Sequence, residues 1–252
     1  MGMLAIIGGS GFTRLPGFTI DRQEQPTTRY GATSAPLLHG QLAGLPLLFL
    51  ARHGADHQIP PHRINYRANL RALADAGATE IIALAAVGGI TAQCAPETFC
   101  VPDQLIDYTS ARISSFYEGE NAEDGVTHID FTDPYCPSLR AELLHCAEQA
   151  EIALQPSGCY GVTQGPRLET SAEIRRLERD GCDLVGMTAM PEAALARELG
   201  LCYATLAFVV NWAAGKAAGT ISMKEIEQSI GVCTHTIERL LIAFAKHRVT
   251  TS

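Results

Sequence analysis

Residues 66–89, YRANLRALADAGATEIIALAAVGG, decide the fold class. Residues 66–76 read as a helix closed by Gly77, and Glu80 to Val87 follows as an apolar strand that runs into Gly88-Gly89. The same punctuation recurs towards the N-terminus. Leu4 to Ile7 is a short apolar run feeding the glycine loop Gly8-Gly-Ser-Gly11, and Leu45 to Ala51 is another, ending in Arg52-His53-Gly54. Towards the C-terminus, helix signals resume at Ser138 to Ala150, followed by a strand near Gly158 to Thr163. Thr170-Ser-Ala-Glu173 then reads as a capping box opening a helix up to Asp180. Pro191 starts a further helix that Gly200 ends, Leu201 to Val210 reads as a long buried strand, and the last helix spans roughly 222–246. Thr109 to Pro137 is polar, rich in Gly, Asp and Pro and without a clear period, so it reads as a long excursion that includes functional loop. This alternation predicts an α/β fold, with residues 1–252 forming one domain.

The balance of 19 Lys+Arg against 27 Asp+Glu gives a net charge of -8 and no general attraction for nucleic acid or anionic lipid, so any phosphate must be bound locally. No apolar run approaches the length of a membrane span, and the chain opens directly into Met3 to Ile7 without a basic leader. A cytoplasmic protein is expected. The eight cysteines (94, 100, 136, 146, 159, 182, 202 and 233) include no Cys-x-x-Cys pair, and the expectation is that all are reduced and structural.

Three strand ends carry groups suited to phosphate: the backbone and hydroxyl of Gly9-Ser10-Gly11, the guanidinium and imidazole of Arg52-His53, and the hydroxyl of Thr188. Taken singly, the glycine loop also fits a plain tight turn and Arg52 a surface ion pair; their recurrence at strand ends is what favours a site. His53, His57 and His62 have spacing that suggests a metal, but Pro60-Pro61 breaks the helix that would align them and no Cys or carboxylate cluster completes a set, so no metal is expected. Gly8-Gly-Ser-Gly11 also lacks the spacing of a dinucleotide fingerprint. Glu169 precedes the capping Thr170 and fits either a helix-dipole carboxylate or a ligand acceptor. Asn211 ends an apolar strand and fits either a turn or a ligand donor. Met187 and Met223 fit either the core or a ligand contact.

Taken together and in order, Ile7-Gly-Gly-Ser-Gly11, Arg52-His53-Gly54, Asn65-Tyr-Arg-Ala-Asn69, Ala86-Val-Gly-Gly89, Gly165-Pro-Arg-Leu-Glu-Thr170 and Val185-Gly-Met-Thr-Ala-Met-Pro-Glu192 resemble the trimeric purine nucleoside phosphorylase and methylthioadenosine phosphorylase family, over nearly the whole chain. The resemblance implies a single α/β domain with a central mixed β-sheet, partly barrel-like and flanked by helices, assembled as a homotrimer with sites at subunit interfaces. It implies no metal and no organic cofactor, inorganic phosphate being a co-substrate that attacks C1′ of a ribose while the purine leaves. Phosphate would be held by Ser10, Arg52, His53, the backbone of Ala86, and Thr188, with Met187 against the ribose. His128, in Gly125-Val-Thr-His128, matches a histidine that is lent to the neighbouring subunit's 5′ pocket.

The resemblance also bears on the base. A 6-oxopurine offers an N1–H donor and O6 and N7 acceptors, which suit an ionised Glu169 and the amide of Asn211; adenine offers the opposite pattern at N1 and C6. The adenine-using members resemble this chain elsewhere but carry aspartates where Asn211 and Ala213 stand, and serine where Glu169 stands. Asn211, Glu169 and His53 are therefore the expected catalytic residues, and the expected base is hypoxanthine or guanine. Near the start of the last helix, Met223 stands where ordinary purine nucleoside phosphorylases bind the 5′-hydroxyl with a histidine, which favours a 5′-methylthio group. Methylthioinosine is the expected substrate. Methylthioadenosine, inosine or guanosine, and a non-catalytic nucleoside-binding role are the alternatives. Two departures stand out: Leu168 replaces an aromatic residue that stacks on the base, and Ala85 replaces a hydroxyl or amide residue beside the phosphate.

Overall fold

The computed structural model describes residues 2–118 and 127–251. Its strands in chain order are β1 (Met3–Gly8), β2 (Phe18–Glu24), β3 (Thr27–Thr28), β4 (Gly31–Ala32), β5 (Leu37–Leu42), β6 (Leu45–Ala51), β7 (Ala78–Gly89), β8 (Phe99–Cys100), β9 (Gln104–Asp107), β10 (Cys159–Val162), β11 (Leu184–Gly186) and β12 (Cys202–Trp212). The helices are α1 (Tyr66–Asp75), α2 (Pro137–Gln149), α3 (Ser171–Arg179), α4 (Ala189–Glu198) and α5 (Met223–Thr251). The expected strands are present at β1, β6, β7, β10 and β12, and the expected helices at α1 to α5. Thr170 and Glu173 form the reciprocal capping box that opens α3. Residues 109–118 and 127–136 of the excursion hold no helix or strand.

Ten of the strands make one mixed sheet in the order β2-β5-β6-β1-β7-β11-β10-β9, with β12 paired to β7 and β8. β7 is the branch point. Its first half runs parallel to β1 from Ala78 to Ala83, and Glu80 to Gly89 run parallel to β12; Gly88 and Gly89 also pair antiparallel with β11. β1 and β11 thus occupy the same edge of β7 in succession, and the sheet parts where one leaves and the other arrives. β1, β6, β7 and β12 are almost continuously apolar because helices cover the sheet, and Ile6, Phe49, Ile82, Leu206 and Phe208 are buried with Leu240, Leu241 and Phe244 of α5 in one core.

α5 runs for 29 residues. Its C-terminal end is fixed by Arg248, whose guanidinium pairs with both Glu80 of β7 and Glu142 of α2. No helix among the described residues is long and apolar enough to cross a membrane.

One expectation is overturned. Cys136 and Cys202 form a disulfide, so not all eight cysteines are free thiols. Cys136 caps the start of α2 and its N–H donates to the Tyr203 carbonyl at 2.8 Å, which lays this turn against the first residues of β12. The two sulfurs meet through tertiary packing across a separation of 66 residues, which no local spacing reveals.

Candidate active site

A cavity of about 510 Å³ opens where the sheet parts. Its walls come from the ends of β1, β6, β7, β11 and β12, from the turn before α3, and from the N-terminal third of α5. Ser10, Arg52, His53, Ala86, Leu168, Glu169, Met187, Thr188, Asn211, Ala213 and Met223 all line it, so residues from seven separate stretches of the chain meet in one place. His128 does not line it; its side chain is exposed, and Gly125 and Val126 of its motif lie outside the described residues.

The glycine loop and Arg52 fit together sterically. A Cβ on Gly9 would sit 2.4 Å from the Leu84 carbonyl and 3.1 Å from a guanidinium nitrogen of Arg52, so only glycine lets the backbone pass this close. Arg52 is 1% exposed, which excludes a surface ion pair. It meets Glu192 in a bidentate buried pair, with Nε and Nη2 donating at 2.7 and 2.8 Å, and Nη1 donates to the Leu84 carbonyl at 2.9 Å. Burial alone would depress the guanidinium pKa, but Glu192 more than offsets this and raises it. Three of the five N–H groups of an arginine are thereby committed, leaving two for an anion in the cavity. Glu192 also accepts from the Tyr203 hydroxyl at 2.9 Å, so the pair is held from β12 as well.

His53 is held by its Nδ1, 2.8 Å from the Ile59 carbonyl. A carbonyl can only accept, so Nδ1 carries the proton and a neutral ring leaves the Nε2 lone pair as its other polar group. Burial, then the charge of Arg52, lower its pKa from 6.5 to about 4. The sign of the linkage follows. Below 6.5 the unfolded chain takes up a proton that the folded ring refuses until about pH 4, so this contribution to stability is complete above 6.5 and is lost as pH falls through that window. His53→Gln is expected to shrink the acid loss of stability by on the order of 3 kcal/mol, measured as the difference between wild-type and variant urea unfolding at neutral pH and near pH 4. An equal acid loss in both proteins would show that His53 is not the group responsible.

Elsewhere on the cavity wall Glu169 is half-buried, and its carboxylate accepts from the Thr163 hydroxyl just past the end of β10 instead of capping α3. The turn between them begins at Gly165, whose φ of 61° is left-handed and whose Cβ would fall 2.4 Å from the Met187 sulfur. The turn bearing Glu169 therefore packs directly on Met187. Asn211 lies one residue beyond the expected end of its strand, inside β12, at a register shift against β7 between Val209 and Asn211. Such an irregularity re-aims a side chain at a strand end. The Asn211 Nδ2 group donates to the Trp212 carbonyl at 2.7 Å, which orients the amide beside the cavity and leaves one N–H uncommitted.

The remaining wall is apolar: Ile221, Met223, Ile226 and Ile230, with Glu227 beside them. Met223 is 62% exposed and is no core residue. Leu168 is also exposed at the cavity mouth. Several residues that shape the site escape sequence reasoning. Glu192 stands in a quoted motif but gains its role only from a partner 140 positions away. His57, weighed only as a metal ligand, lines the cavity with its Nε2 3.4 Å from the Ser10 hydroxyl. Among the described residues no three His, Cys, Asp or Glu side chains gather as a metal set.

Residues 3–246 match the model of the phosphorylase superfamily. A probable S-methyl-5′-thioinosine phosphorylase of Pseudomonas syringae pv. tomato is 52% identical over 247 residues, covering 96% of this chain and all of that one. The 6-oxopurine nucleoside phosphorylase of Pyrococcus furiosus is 43% identical over 246 residues, covering 96% and 92% of the two chains. Among solved structures, methylthioadenosine phosphorylase from Schistosoma mansoni in complex with adenine superposes with a TM-score of 0.94 at 30% identity, covering 99% of this chain and 93% of that one. The matched span runs from β1 into the last turns of α5 and so takes in every wall of the cavity: the chain belongs to the phosphorylase superfamily.

Proposed function

We propose that the chain splits S-methyl-5′-thioinosine with inorganic phosphate, releasing hypoxanthine and 5-methylthioribose 1-phosphate. The observation that carries this reading is the convergence on one cavity of an acceptor and a donor, Glu169 and Asn211, with Ser10, Arg52, His53 and Thr188. The probable S-methyl-5′-thioinosine phosphorylases of Pseudomonas and Xanthomonas, 52% and 50% identical to this chain, support the same substrate.

Each residue has a task that its chemistry allows. The two uncommitted N–H groups of Arg52, the Ser10 and Thr188 hydroxyls and the Ala86 N–H hold the phosphate, while neutral His53 accepts a hydrogen bond at Nε2 from the hydroxyl of hydrogenphosphate. The bond from C1′ to N9 breaks as the bond from C1′ to a phosphate oxygen forms, and the electron pair of the broken bond leaves with the purine. Asn211 donates to N7, where that charge gathers, and Glu169 accepts from N1–H. The hypoxanthine anion takes up a proton on release. No metal or organic cofactor enters this scheme. Met187 lies against the ribose, and Met223, Ile226 and Ile230 take the methylthio group by apolar contact. The working assembly we propose is a homotrimer in the cytoplasm, in which His128 reaches the neighbouring 5′ pocket.

Incubating the protein with methylthioinosine, methylthioadenosine and inosine, each with and without phosphate, tests the reading. Methylthioinosine is expected to give the highest kcat/KM and to need phosphate. A preference for methylthioadenosine overturns the base assignment, and turnover indifferent to phosphate overturns the reaction. Glu227, a carboxylate on the otherwise apolar wall, favours inosine or guanosine as the second reading, since it can accept from a 5′-hydroxyl.

A further inference from the structure

The parallel pairing of β10 with β11 ends at Val162 and Gly186. Beyond it the two chains part, one towards Glu169 and the other towards Met187 and Thr188, and the carbonyls just past the split have no ladder left to join. Arg112, from the irregular segment before residue 119, fills this place. Its Nη1 donates to the carbonyls of Met187 at 2.8 Å and Met190 at 2.5 Å. Its Nη2 donates to those of Gln164 at 2.7 Å and Thr163 at 3.3 Å. Nε donates to the Gln164 side chain at 3.1 Å, and the Tyr66 hydroxyl lies 3.3 Å from Nη1. Among the described residues Arg112 joins no ion pair, unlike Arg52 and Arg248. Its partners are four main-chain carbonyls, an amide and a phenol. A planar fork of five donors is the one side chain able to serve so many acceptors at fixed angles; lysine offers three donors from a single point.

From this geometry we infer that Arg112 is a positioning residue for the nucleoside half of the site. It fixes Thr163, whose hydroxyl orients the Glu169 carboxylate, and it fixes the main chain of Met187, against which the Glu169 turn packs through Gly165. It thereby sets the distance between the base acceptor and the ribose wall. Of the phosphate set, Arg52 and Ser10 lie on other strand ends and are held by other partners, and only Thr188, next to Met187, stands within its reach, so the phosphate half leans on it little. The inference rests on the proposed phosphorolysis.

Arg112→Met and Arg112→Lys, assayed with methylthioinosine, inosine and methylthioadenosine against phosphate, test it. In Arg112→Met the KM for the nucleoside should rise about 10-fold and kcat should fall about 100-fold, as expected when reacting groups are misplaced by roughly an ångström. The wild-type ratio of 6-oxo to 6-amino turnover should move about 10-fold towards unity because Glu169 is no longer held, while the KM for phosphate stays within about 3-fold. Arg112→Lys should recover part of each loss. A merely structural role would lower the folded fraction, cutting kcat for all substrates by one factor and leaving both KM values and the ratio unchanged. That result, or wild-type kinetics in Arg112→Met, overturns the inference. If Arg112→Met does not fold, Arg112→Lys alone decides by the same readings. Wild-type turnover that ignores phosphate would instead overturn the proposed reaction, leaving the variant's shift in nucleoside KM still readable.

Discussion

Glu192→Leu is expected to lower the free energy of unfolding by about 3–5 kcal/mol, because it leaves Arg52 buried without its counter-charge. The change also strands the Tyr203 hydroxyl, which donates to the same carboxylate. For a chain of this size such a loss corresponds to a fall in melting temperature of about 10 °C, read by calorimetry. Activity should suffer separately. With Glu192 gone the Arg52 fork is free to swing, and the KM for phosphate should rise about 100-fold, the scale of a lost charge-assisted contact. The double variant Arg52→Met with Glu192→Leu separates the two effects. Replacing both ions with apolar side chains removes the stranded charge, so most of the stability should return while phosphate binding stays lost. A double variant no more stable than Glu192→Leu would show that the cost lies in packing and not in the unpaired cation.

The second large effect concerns the base. Asn211→Asp together with Ala213→Asp should raise the ratio of methylthioadenosine to methylthioinosine turnover, compared as kcat/KM, by about 10²–10⁴-fold. A site that offers carboxylate acceptors where an amide donor stood suits the 6-amino group and repels O6. Asn211 and Ala213 both line the cavity, and Ala213 is 3% exposed, so the second aspartate enters a nearly dry position whose only relief is a ligand donor. If the ratio does not rise in a folded double variant, these two positions do not read the base.

The strands that feed the cavity were legible because burial on both faces makes them apolar throughout, and glycine or a polar residue marks where each one stops. Leu4 to Ile7, Leu45 to Ala51 and Glu80 to Val87 all show this. β2 was illegible for the opposite reason: its residues are mostly exposed and Phe18–Glu24 carries no apolar alternation strong enough to announce a strand. β3, β4 and β8, two residues each, exist only through their partners. In the site, side chains that line the cavity could be read from strand ends and motifs: the eleven residues expected to line the chain's own site meet there, and His128, expected in the pocket of a neighbouring subunit, is not among its walls. Residues that act on other residues could not be read. Arg112 stands in a polar stretch with no period, and its worth lies in four carbonyls more than 50 positions away. The same blindness hid the disulfide of Cys136 and Cys202.

Helix α5 is held along most of its length, with Cys233, Ile237, Leu240, Leu241 and Phe244 buried in the core and Arg248 gripped by Glu80 and Glu142. Met223, about 15 Å along the axis from Cys233, stands on the overhang that reaches the cavity. A tilt of that overhang by about 10° carries Met223 through about 3 Å, roughly the difference between a methylthio group that is gripped and one that is loose. The width of the slot proposed for the 5′ substituent is thus a matter of how stiffly the first turns of one helix stand out from the core.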